Sequence, residues 1–500
     1  MGAAATNVNG AGILVAQAEA NDTNPPATPS IFEVNPAYQG HPSSFFTYIS
    51  GLGTANVFPN SVGVESDHAK IVGNVFYGNP SGVATNVLHV DNYDADYYIN
   101  DLLASNVFEP DLVLNQSFSF GTLPVNQQQM VDSMYDNYEE LYKTFFVSAA
   151  NNLNLGGGST NVAAPGTAYN CISVGAYLSS QYYNCIGPTL DNGRCKPDIT
   201  AFNALTSFTT PQVAGAAADL MQAALRGDGG SDTNSAFNLR TVKALLINGA
   251  VKPLGWTNSS LFPLDQRYGS GVVNVYNSYV QLAGGKNSAI VSQLVNSGTK
   301  HLPTGAAGTV PVLTGWDFAT NNSTGSQDAV SHYYFNVSNS TPGTRFTASA
   351  TLVWNRHLSQ TNINNLDMFL YNCANSNLVN CSTSLVNNVE YIYQTNLAQG
   401  RYDLQVWKQG VTNMVSSNEV YALAFTFYSD MLSASGPATN LTLSWPAYPQ
   451  GFMVQATTNL SSPNWNSTNL PTPTIISNRN ILQLGAANAT QFFRLFSPNL

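Results

Sequence analysis

Three residues in the first half of the chain have the types, and the order along the sequence, that nucleophilic acyl transfer requires: Glu19, His68 and Ser207. A serine hydroxyl is a weak nucleophile until an imidazole accepts its proton. A carboxylate must in turn fix the tautomer of that imidazole and stabilise its charged form. Glu19 ends the apolar run GILVAQAE, and His68 begins HAKIVGNVF, which predicts a helix. All three roles of such a site therefore have candidates at the ends of predicted elements.

Ser207 begins a run rich in small residues, SFTTPQVAGAAADLMQAAL, which predicts a helix with Pro211 in its first turns. Proline is tolerated there because the first N–H groups of a helix lack intrahelical partners. The same N-terminus offers a positive dipole end to a developing oxyanion. A serine at this position is also a good helix N-cap. By itself, the segment is therefore consistent with both a nucleophile and a structural cap.

Short apolar strands alternate with longer helical stretches from residue 1 to about residue 284. Largely apolar runs of strand length are what the central strands of a parallel sheet require. The alternation predicts an α/β domain over residues 1–284, with a parallel sheet, helices on both faces and an active site at the carboxyl ends of the strands. The candidate strands span residues 12–19, 110–117, 145–151 and 171–177, and the candidate helices begin at His68 or span residues 131–145, 207–225 and 238–250.

Helical periodicity disappears after about residue 285. Residues 285–435 contain alternating strands such as RFTASATLVW and RYDLQVWK between turns rich in Asn, Ser and Gly, which predicts a β-sandwich. Residues 436–500 repeat this pattern in shorter strands and predict a small all-β domain. Neither segment has a cluster of titratable residues that would indicate a second active site.

The composition predicts an extracellular kind of surface. Charged residues make up only 9% of the chain, and Asn, Ser, Thr, Gly and Tyr supply the polar surface instead. A net charge of −11 leaves no basic face that could neutralise phosphates, which argues against a nucleic-acid partner. No stretch approaches the roughly 20 apolar residues of a membrane span. The opening MGAAA lacks the basic start and apolar core of a signal peptide, so an exported form is expected to have lost its targeting segment.

The cysteines predict two local disulfides. Cys185 and Cys195 bracket one short loop, Cys373 and Cys381 bracket another, and both spacings suit a bridge formed in an oxidising compartment. Cys171 lies in the apolar run NCISVGAY and is expected to be a buried thiol. The alternative is five reduced cysteines in a cytosolic protein.

The sequence gives no motif for a catalytic metal. It contains neither the H-E-x-x-H zinc signature nor the G-x-S-x-G nucleophile elbow. DNYDADYY (91–98) is acidic enough to suggest a structural calcium ion, but it lacks an ordered loop spacing and is better explained as a solvated helix start. The other histidines are expected to be structural or exposed: His41, His89, His301, His332 and His357.

Seven segments resemble, in the same order, the sequence blocks of one known enzyme family. TSFTTPQVAG is similar to T-S-(M/F)-A-(A/T)-P-x-V-A-G, KPDITAF to the run before that block, and HAKIVGN to H-(G/A)-T-H-V-A-G. The other four are FVSAANN, NVAAPGTAYNCISVGAY, LVLNQSFSFG and RYGSGVVNVYNSY. The family is that of the subtilisin-like (subtilase) serine peptidases, and the matches span most of residues 10–284.

This resemblance implies a subtilisin-like first domain and a serine endopeptidase that hydrolyses protein or peptide substrates through an acyl-enzyme. It implies that Ser207 is the nucleophile and His68 the general base, with Glu19 standing where the family has Asp. Asn152, at the end of FVSAANN, inherits the role of oxyanion donor. No cofactor is implied.

The resemblance also extends to the substrate cleft and to the trailing domains. Phe118 and Ser119, in LVLNQSFSFG, match positions that line the cleft in the family. The two β domains resemble modules that follow the peptidase domains of secreted bacterial proteins. They imply a role in stability or substrate attachment.

Four positions depart from the family pattern. Glu19 replaces Asp, Asn151 replaces the Gly of an A-G-N turn, Leu205 replaces the Gly before Thr-Ser, and Ile71 replaces the second His of the histidine block. Asn tolerates left-handed backbone better than most residues, and Ile71 is not a triad position. The departures leave an alternative function, in which a catalytically degenerate scaffold acts as a secreted binding protein.

Overall fold

Short buried strands build the first part of the chain. The computed structural model describes residues 7–496 apart from residues 24, 154–159, 179–184, 340–341, 413, 430–431, 438, 448–451, 477–478 and 486–489. The opening MGAAA lies outside the described residues. The strands of this part are β1 (Leu14–Glu19), β2 (Ile31–Glu33), β3 (Phe46–Ser50), β4 (Gly53–Ala55), β5 (Val64–Glu65), β6 (His89–Asp94), β7 (Val113–Gln116), β8 (Phe145–Ala149), β9 (Ile172–Ala176) and β10 (Ile199–Ala201).

Eight of these strands form one sheet in the order β10-β9-β8-β7-β1-β6-β3-β4, while β2 and β5 pair separately. Every neighbouring pair in the large sheet is parallel except the β3–β4 hairpin. The chain extends from β1 to one side through β3 and β6, and to the other side through β7 to β10. The strand order therefore reverses between β1 and β7, where such sheets leave a crevice at their carboxyl edge. Glu19, the last residue of β1, lies at that edge.

Helices cover both faces of this sheet. They are α1 (Pro36–Gln39), α2 (Asp67–Phe76), α3 (Ala95–Tyr97), α4 (Val125–Tyr142), α5 (Thr206–Leu225), α6 (Thr233–Phe237), α7 (Leu239–Gly249) and α8 (Val275–Ala283), with a 3₁₀-helix at Ser43–Phe45 and a π-helix at Tyr98–Leu103. Successive side chains of a strand point to opposite faces. Val15 accordingly packs in the cluster that contains α2, α5 and α7, whereas Ala16 packs with α4 and the π-helix. The α/β fold predicted from the sequence is confirmed.

Two helix boundaries differ from the sequence-based prediction. α4 begins at Val125 instead of residue 131, directly after Pro124, and ends at Tyr142 because Lys143 adopts a left-handed φ of 64°. α5 begins at Thr206 with Leu205 as its N-cap. Ser207 is therefore the second residue of the helix, and the alternative that it serves as the N-cap is wrong.

The acidic segment DNYDADYY is divided between a strand and a helix. β6 continues to Asp94, and the side chain of Asp94 caps α3 by accepting a hydrogen bond from the N–H of Asp96 at 3.3 Å. The helix start inferred from the sequence therefore lies at Ala95, four residues after the segment begins. Within the described residues, no group of three or more His, Cys, Asp or Glu side chains is arranged to hold a metal ion.

Two antiparallel sheets form a β-sandwich after the α/β domain. Five strands pair in the order β11-β13-β18-β15-β16 and four in the order β12-β19-β14-β17. Apolar side chains of both sheets, such as Tyr333 and Leu352, enclose one core. The strands are β11 (Val291–Asn296), β12 (Thr314–Asn322), β13 (Gln327–Val337), β14 (Phe346–Trp354), β15 (Leu366–Asn372), β16 (Asn377–Ser382), β17 (Val389–Leu397), β18 (Gly400–Lys408) and β19 (Asn418–Tyr428).

The last part of the chain is a smaller β unit. It contains a four-stranded sheet, β20-β21-β24-β23, and the pair β22-β25. A small core of Leu443, Trp445, Val454 and Leu482 holds it together. Two all-β parts therefore follow the α/β domain, as predicted. The strands are β20 (Ser433–Ser435), β21 (Asn440–Pro446), β22 (Met453–Thr457), β23 (Thr474–Ile476), β24 (Arg479–Gly485) and β25 (Phe492–Phe496).

The two predicted disulfides are wrong, because the cysteines are not bridged. Strand register gives the reason for the second pair. β15 and β16 are antiparallel neighbours, but their register sets Cys381 opposite Phe369, while Cys373 lies beyond the end of β15. Sequence spacing alone does not report this register. Cys171 is a fully buried thiol, as predicted.

Helix α7 joins the α/β domain to the sandwich through buried polar contacts. Asn248, 5% exposed, accepts hydrogen bonds from the hydroxyls of Ser349 at 2.7 Å and Thr351 at 3.1 Å, both on β14. Its amide group donates to Gln281 at 2.6 Å. None of the described helices is both long and apolar enough to cross a membrane.

Replacing Asn248 by Ala is expected to destabilise this junction. The change leaves two buried hydroxyls without this acceptor, and each such loss costs about 1–3 kcal/mol. We expect the thermal melting temperature to fall by several degrees. Asn322→Ala, at an exposed position on β12, is the control and should melt like the wild type. Equal melting of both variants would contradict the proposed contribution of Asn248.

Candidate active site

Three segments meet at the carboxyl edge of the large sheet. Glu19 is the last residue of β1, His68 is the second residue of α2, and Ser207 is the second residue of α5. Helix α2 starts where it does because the hydroxyl of Ser66 accepts a hydrogen bond from the N–H of Ala69 at 3.0 Å. This cap holds His68 in the first turn, beside the end of β1.

The side chains of Glu19 and His68 are directly hydrogen-bonded. His68 Nδ1 donates to Glu19 Oε2 at 2.7 Å. The glutamate is 1% exposed, whereas the histidine is 30% exposed. A carboxylate on Nδ1 fixes the tautomer, which leaves Nε2 as the nitrogen that can accept a proton. The extra methylene of Glu, compared with Asp, therefore does not prevent contact between acid and imidazole.

The electrostatic surroundings favour the protonated form of His68. Burial lowers the pKa of its imidazole, but the charge of Glu19, its hydrogen bond and the charge of Asp22 together outweigh burial and raise the pKa above its usual value. Asp22 is held in place by Ser66, whose hydroxyl donates to Asp22 Oδ2 at 2.5 Å. An imidazolium at His68 is thus stabilised in this site.

The hydroxyl of Ser207 is bonded to a main-chain carbonyl. Ser207 Oγ donates to the oxygen of Ser117 at 3.1 Å, and Ser117 Oγ donates to the oxygen of Ser207 at 2.8 Å. The ring of Phe208, the next residue, lies 5.8 Å from that of His68 between centroids. Ser207 is therefore close to the imidazole in the fold, but its described hydrogen bonds run to Ser117 and not to His68.

Asn152 contacts the start of α5 through its oxygen. Asn152 Oδ1 accepts hydrogen bonds from the N–H of Thr206 at 2.9 Å and from its hydroxyl at 3.1 Å. Because both contacts occupy the oxygen, the Nδ2 group is directed away from Thr206. The N–H of Ser207, in the first turn of the helix, has no intrahelical partner. The Nδ2 group of Asn152 and the N–H of Ser207 are therefore two candidate donors near the start of α5.

Backbone geometry accounts for two of the departures from the family pattern. Asn151 has a φ of 92°, a value that favours Gly, and its side chain accepts a hydrogen bond from the N–H of Asn152 at 2.8 Å. Leu205 has a φ of −119°, which any residue can adopt. Ile71 is 40% exposed on α2. The backbone conformation at Asn151 and Leu205 therefore accommodates both of these replacements.

Phe118 and Ser119 lie in the extended segment after β7, immediately beyond Ser117. Both are half-buried, and Phe118 packs edge-on against Phe120 with 6.3 Å between ring centroids. The N–H of Phe120 donates to the oxygen of Ala164 at 2.8 Å, which fixes the end of the segment. The two predicted substrate-binding residues are thus adjacent in sequence to the carbonyl that holds Ser207.

Sequence reasoning missed two residues that contact the proposed triad. The main-chain carbonyl of Ser117 accepts a hydrogen bond from the Ser207 hydroxyl. Gln17, 0% exposed on β1, donates to the second oxygen of Glu19, Oε1, at 2.8 Å. The only available signal for Gln17 was a polar residue two positions before Glu19 in an otherwise apolar strand.

Two histidines of the sandwich, His301 and His332, also pair with carboxylates, but these two are not accessible. His301 bonds Asp328 at 2.9 Å and His332 bonds Asp403 at 2.8 Å. The side chains of all four residues are between 0 and 2% exposed. A substrate cannot reach them, so these pairs are structural.

Comparison with known proteins gives one family match. The model of the subtilase family matches residues 97–271. Asn152 and Ser207 lie inside this range, and Glu19 and His68 precede it. No curated protein matches the chain.

Solved structures give only low similarity scores. Tripeptidyl peptidase 2 is 13% identical with a TM-score of 0.31, over 79% of this chain and 43% of that chain. The enzymatically active domain of tailspike protein 4 of bacteriophage CBA120 is 9% identical with a TM-score of 0.18, over 32% of this chain and 22% of that chain. The chain spans less than half the length of either, and scores this low carry no argument about its activity.

The contact between Glu19 and His68 predicts a measurable change in a pKa. Glu19→Gln removes the negative charge that raises the pKa of His68, so this pKa should fall. NMR titration of the protein with labelled histidine rings measures it, and His68→Gln assigns the signal. His357, whose pKa Glu419 raises, should be unaffected. An unchanged His68 pKa in Glu19→Gln would refute the pairing.

Proposed function

We propose, on the premise that residues 97–271 belong to the subtilase family, that this chain is a serine endopeptidase with a Glu19–His68–Ser207 triad. The observation that carries the proposal is the 2.7 Å bond between the buried carboxylate of Glu19 and Nδ1 of His68, next to the start of α5. Other histidines of this protein also bond buried acids, but the Glu19–His68 pair lies at the edge of the sheet where α5, the helix that carries Ser207, begins. This arrangement supports catalysis by proton transfer.

In the proposed reaction, Ser207 Oγ attacks a peptide carbonyl while Nε2 of His68 accepts its proton. Attack requires the hydroxyl to leave the carbonyl of Ser117, since one proton cannot serve both acceptors. Hydrogen bonds at catalytic sites are commonly loose before substrate binds. His68 then protonates the leaving amine, and a water molecule repeats the sequence on the acyl-enzyme. Glu19 stabilises the imidazolium in both halves of the reaction.

The developing oxyanion is held by two N–H donors in this proposal. One is Nδ2 of Asn152, whose Oδ1 is already engaged by Thr206, and the other is the main-chain N–H of Ser207. Donors that are oriented before the reaction need no reorganisation when the charge develops. The contacts with Thr206 therefore support Asn152 as an oxyanion donor because they fix the direction of its amide group.

We further propose that the substrate is a polypeptide bound beside Phe118 and Ser119. These residues are half-buried in an extended segment that leads away from the nucleophile. The low content of charged side chains, 9%, supports action outside the cell. The proposed chemistry uses protein groups only, so no cofactor is invoked.

A non-catalytic binding protein is the second candidate. Two observations favour it: Ser207 Oγ bonds to Ser117 instead of His68, and the family match does not include Glu19 or His68. In this alternative the α/β domain is a scaffold, and the β domains bind the ligand. The two functions differ in whether Ser207 reacts as a nucleophile.

A fluorophosphonate probe separates these functions. Wild-type protein should be labelled, Ser207→Ala should not, and Glu19→Ala should be labelled more slowly because His68 loses its orienting acid. Ser461→Ala, at an exposed serine of the last β unit, is the control and should be labelled like the wild type. Cleavage of an internally quenched peptide with both ends blocked then tests endopeptidase activity. A folded wild type that takes no label would favour the binding protein.

Removal of the Asn152 side chain should lower turnover selectively. Loss of one oxyanion donor typically reduces kcat by about 10²–10³. We expect this loss in Asn152→Ala, with KM changed by less than about threefold because the interaction develops only in the transition state. Steady-state kinetics on the quenched peptide measures both constants. A change confined to KM would assign Asn152 to substrate binding instead.

A further inference from the structure

The side chain of Gln17 connects the acid of the proposed triad to the helix that carries the base. Gln17 Nε2 donates to Glu19 Oε1 at 2.8 Å and to the carbonyl oxygen of Ala69 at 2.9 Å. Ala69 follows His68 in the first turn of α2. We propose that Gln17 is a positioning residue that allows a glutamate to act as the triad acid. The catalytic part of this inference rests on the proposed function, whereas the hydrogen bonds of Gln17 do not depend on it.

Strand geometry places Gln17 where it can act on Glu19. Residues two apart on a strand point to the same face, so Gln17 and Glu19 both face α2, while Ala16 and Ala18 face the opposite side. Glutamate has one more rotatable bond than aspartate and thus more conformations in which Oε2 is away from His68. A donor on Oε1 removes this freedom, because the carboxylate is then held by both of its oxygens.

The hydrogen bonds of Gln17 fix the orientation of its amide. Both partners of Nε2 are oxygens that can only accept, and Oε1 accepts a hydrogen bond from the hydroxyl of Tyr77 at 2.6 Å. Gln17 is 0% exposed, and a buried amide is costly unless its hydrogen bonds are made. All three described contacts therefore act together to hold one arrangement.

Tyr77 remains a donor throughout the working pH range. Its side chain is buried, and burial, followed by the charges of Tyr48 and Glu19, raises the pKa of its hydroxyl well above the usual value. Helix α2 makes room for this contact through Gly73. A Cβ atom at Gly73 would lie 2.7 Å from the Tyr77 hydroxyl and 3.1 Å from Gln17 Oε1. The helix that carries His68 is thus shaped around the Tyr77–Gln17 pair.

A purely structural role for Gln17 makes a different prediction. Gln39 provides the comparison, because it is also 0% exposed and donates to a carbonyl of α2, that of Lys70, at 2.8 Å. No described contact joins Gln39 to Glu19. If buried glutamines only support α2, the substitutions Gln17→Met and Gln39→Met should have the same effects on stability and on the site.

The test uses the full chain and a signal that does not require activity. The proton on His68 Nδ1, between imidazole and carboxylate, gives a downfield NMR resonance that is sharp only while the hydrogen bond persists. We expect Gln17→Met to broaden or abolish this resonance and Gln39→Met to retain it. Retention of a sharp signal in Gln17→Met would overturn the proposal.

Kinetics provide the second readout. Gln17→Met should reduce kcat by about tenfold or more while KM stays within about twofold, since Gln17 does not touch substrate. Gln39→Met should keep the wild-type kcat. A wild type with the resonance but without turnover would remove the proposed peptidase function and leave the positioning of Glu19 intact.

Tyr77→Phe keeps the proposal testable if Gln17→Met does not fold. This variant removes one hydroxyl and leaves the bond from Gln17 to Glu19 in place, with Gln17 Oε1 unpaired. We expect the Nδ1 proton to exchange with solvent at least about threefold faster than in the wild type. An unchanged exchange rate would overturn the proposal that the hydrogen bonds from Tyr77 to Gln17 and from Gln17 to Glu19 position the carboxylate.

Discussion

Burial of the Glu19 carboxylate is the constraint on which the site depends. At 1% exposure, desolvation of a charged carboxylate costs several kcal/mol, and hydrogen-bond donors at both oxygens offset this cost. His68 supplies one donor and Gln17 the other. Since Gln17 also bonds Ala69, satisfying the charge fixes the position of α2 against β1. The local electrostatics and the placement of the base are therefore one arrangement, and neither can change alone.

The parallel sheet supplies the rest of the geometry. Carboxyl ends of neighbouring parallel strands share one edge, so Glu19 at the end of β1, Ser117 after β7 and Asn152 after β8 lie at the same edge although they are far apart in sequence. Helix α5 then starts at the same edge, where Asn152 holds the N–H of Thr206. Ser207 is consequently positioned by main-chain contacts on both sides, through Ser117 and through the first turn of its own helix.

The sequence predicted the features that follow from hydrophobic pattern and segment order. It did not predict the side-chain contacts that depend on strand register. Apolar runs predicted the α/β sheet, and segment order predicted the edge at which Glu19, His68 and Ser207 lie. The role of Gln17 could not be predicted. The alternation of side chains along a strand indicates the face of the sheet to which Gln17 points, but not the residues that it contacts there. The disulfide between Cys373 and Cys381 failed for a similar reason, since spacing does not state that Cys381 lies opposite Phe369.

The four positions that depart from the family pattern help to decide between the two candidate functions, a peptidase and a non-catalytic binding protein. At Asn151 and Leu205 the backbone accommodates the replacement, and Ile71 is exposed to solvent on α2. Glu19 is the departure at a position with a proposed chemical role, and its carboxylate accepts hydrogen bonds at both oxygens. Buried acids held at both oxygens also occur away from this site, as at Asp328, but Glu19 is the one that lies at the sheet edge where α5 begins. Compensation concentrated at the one consequential change therefore favours a working peptidase.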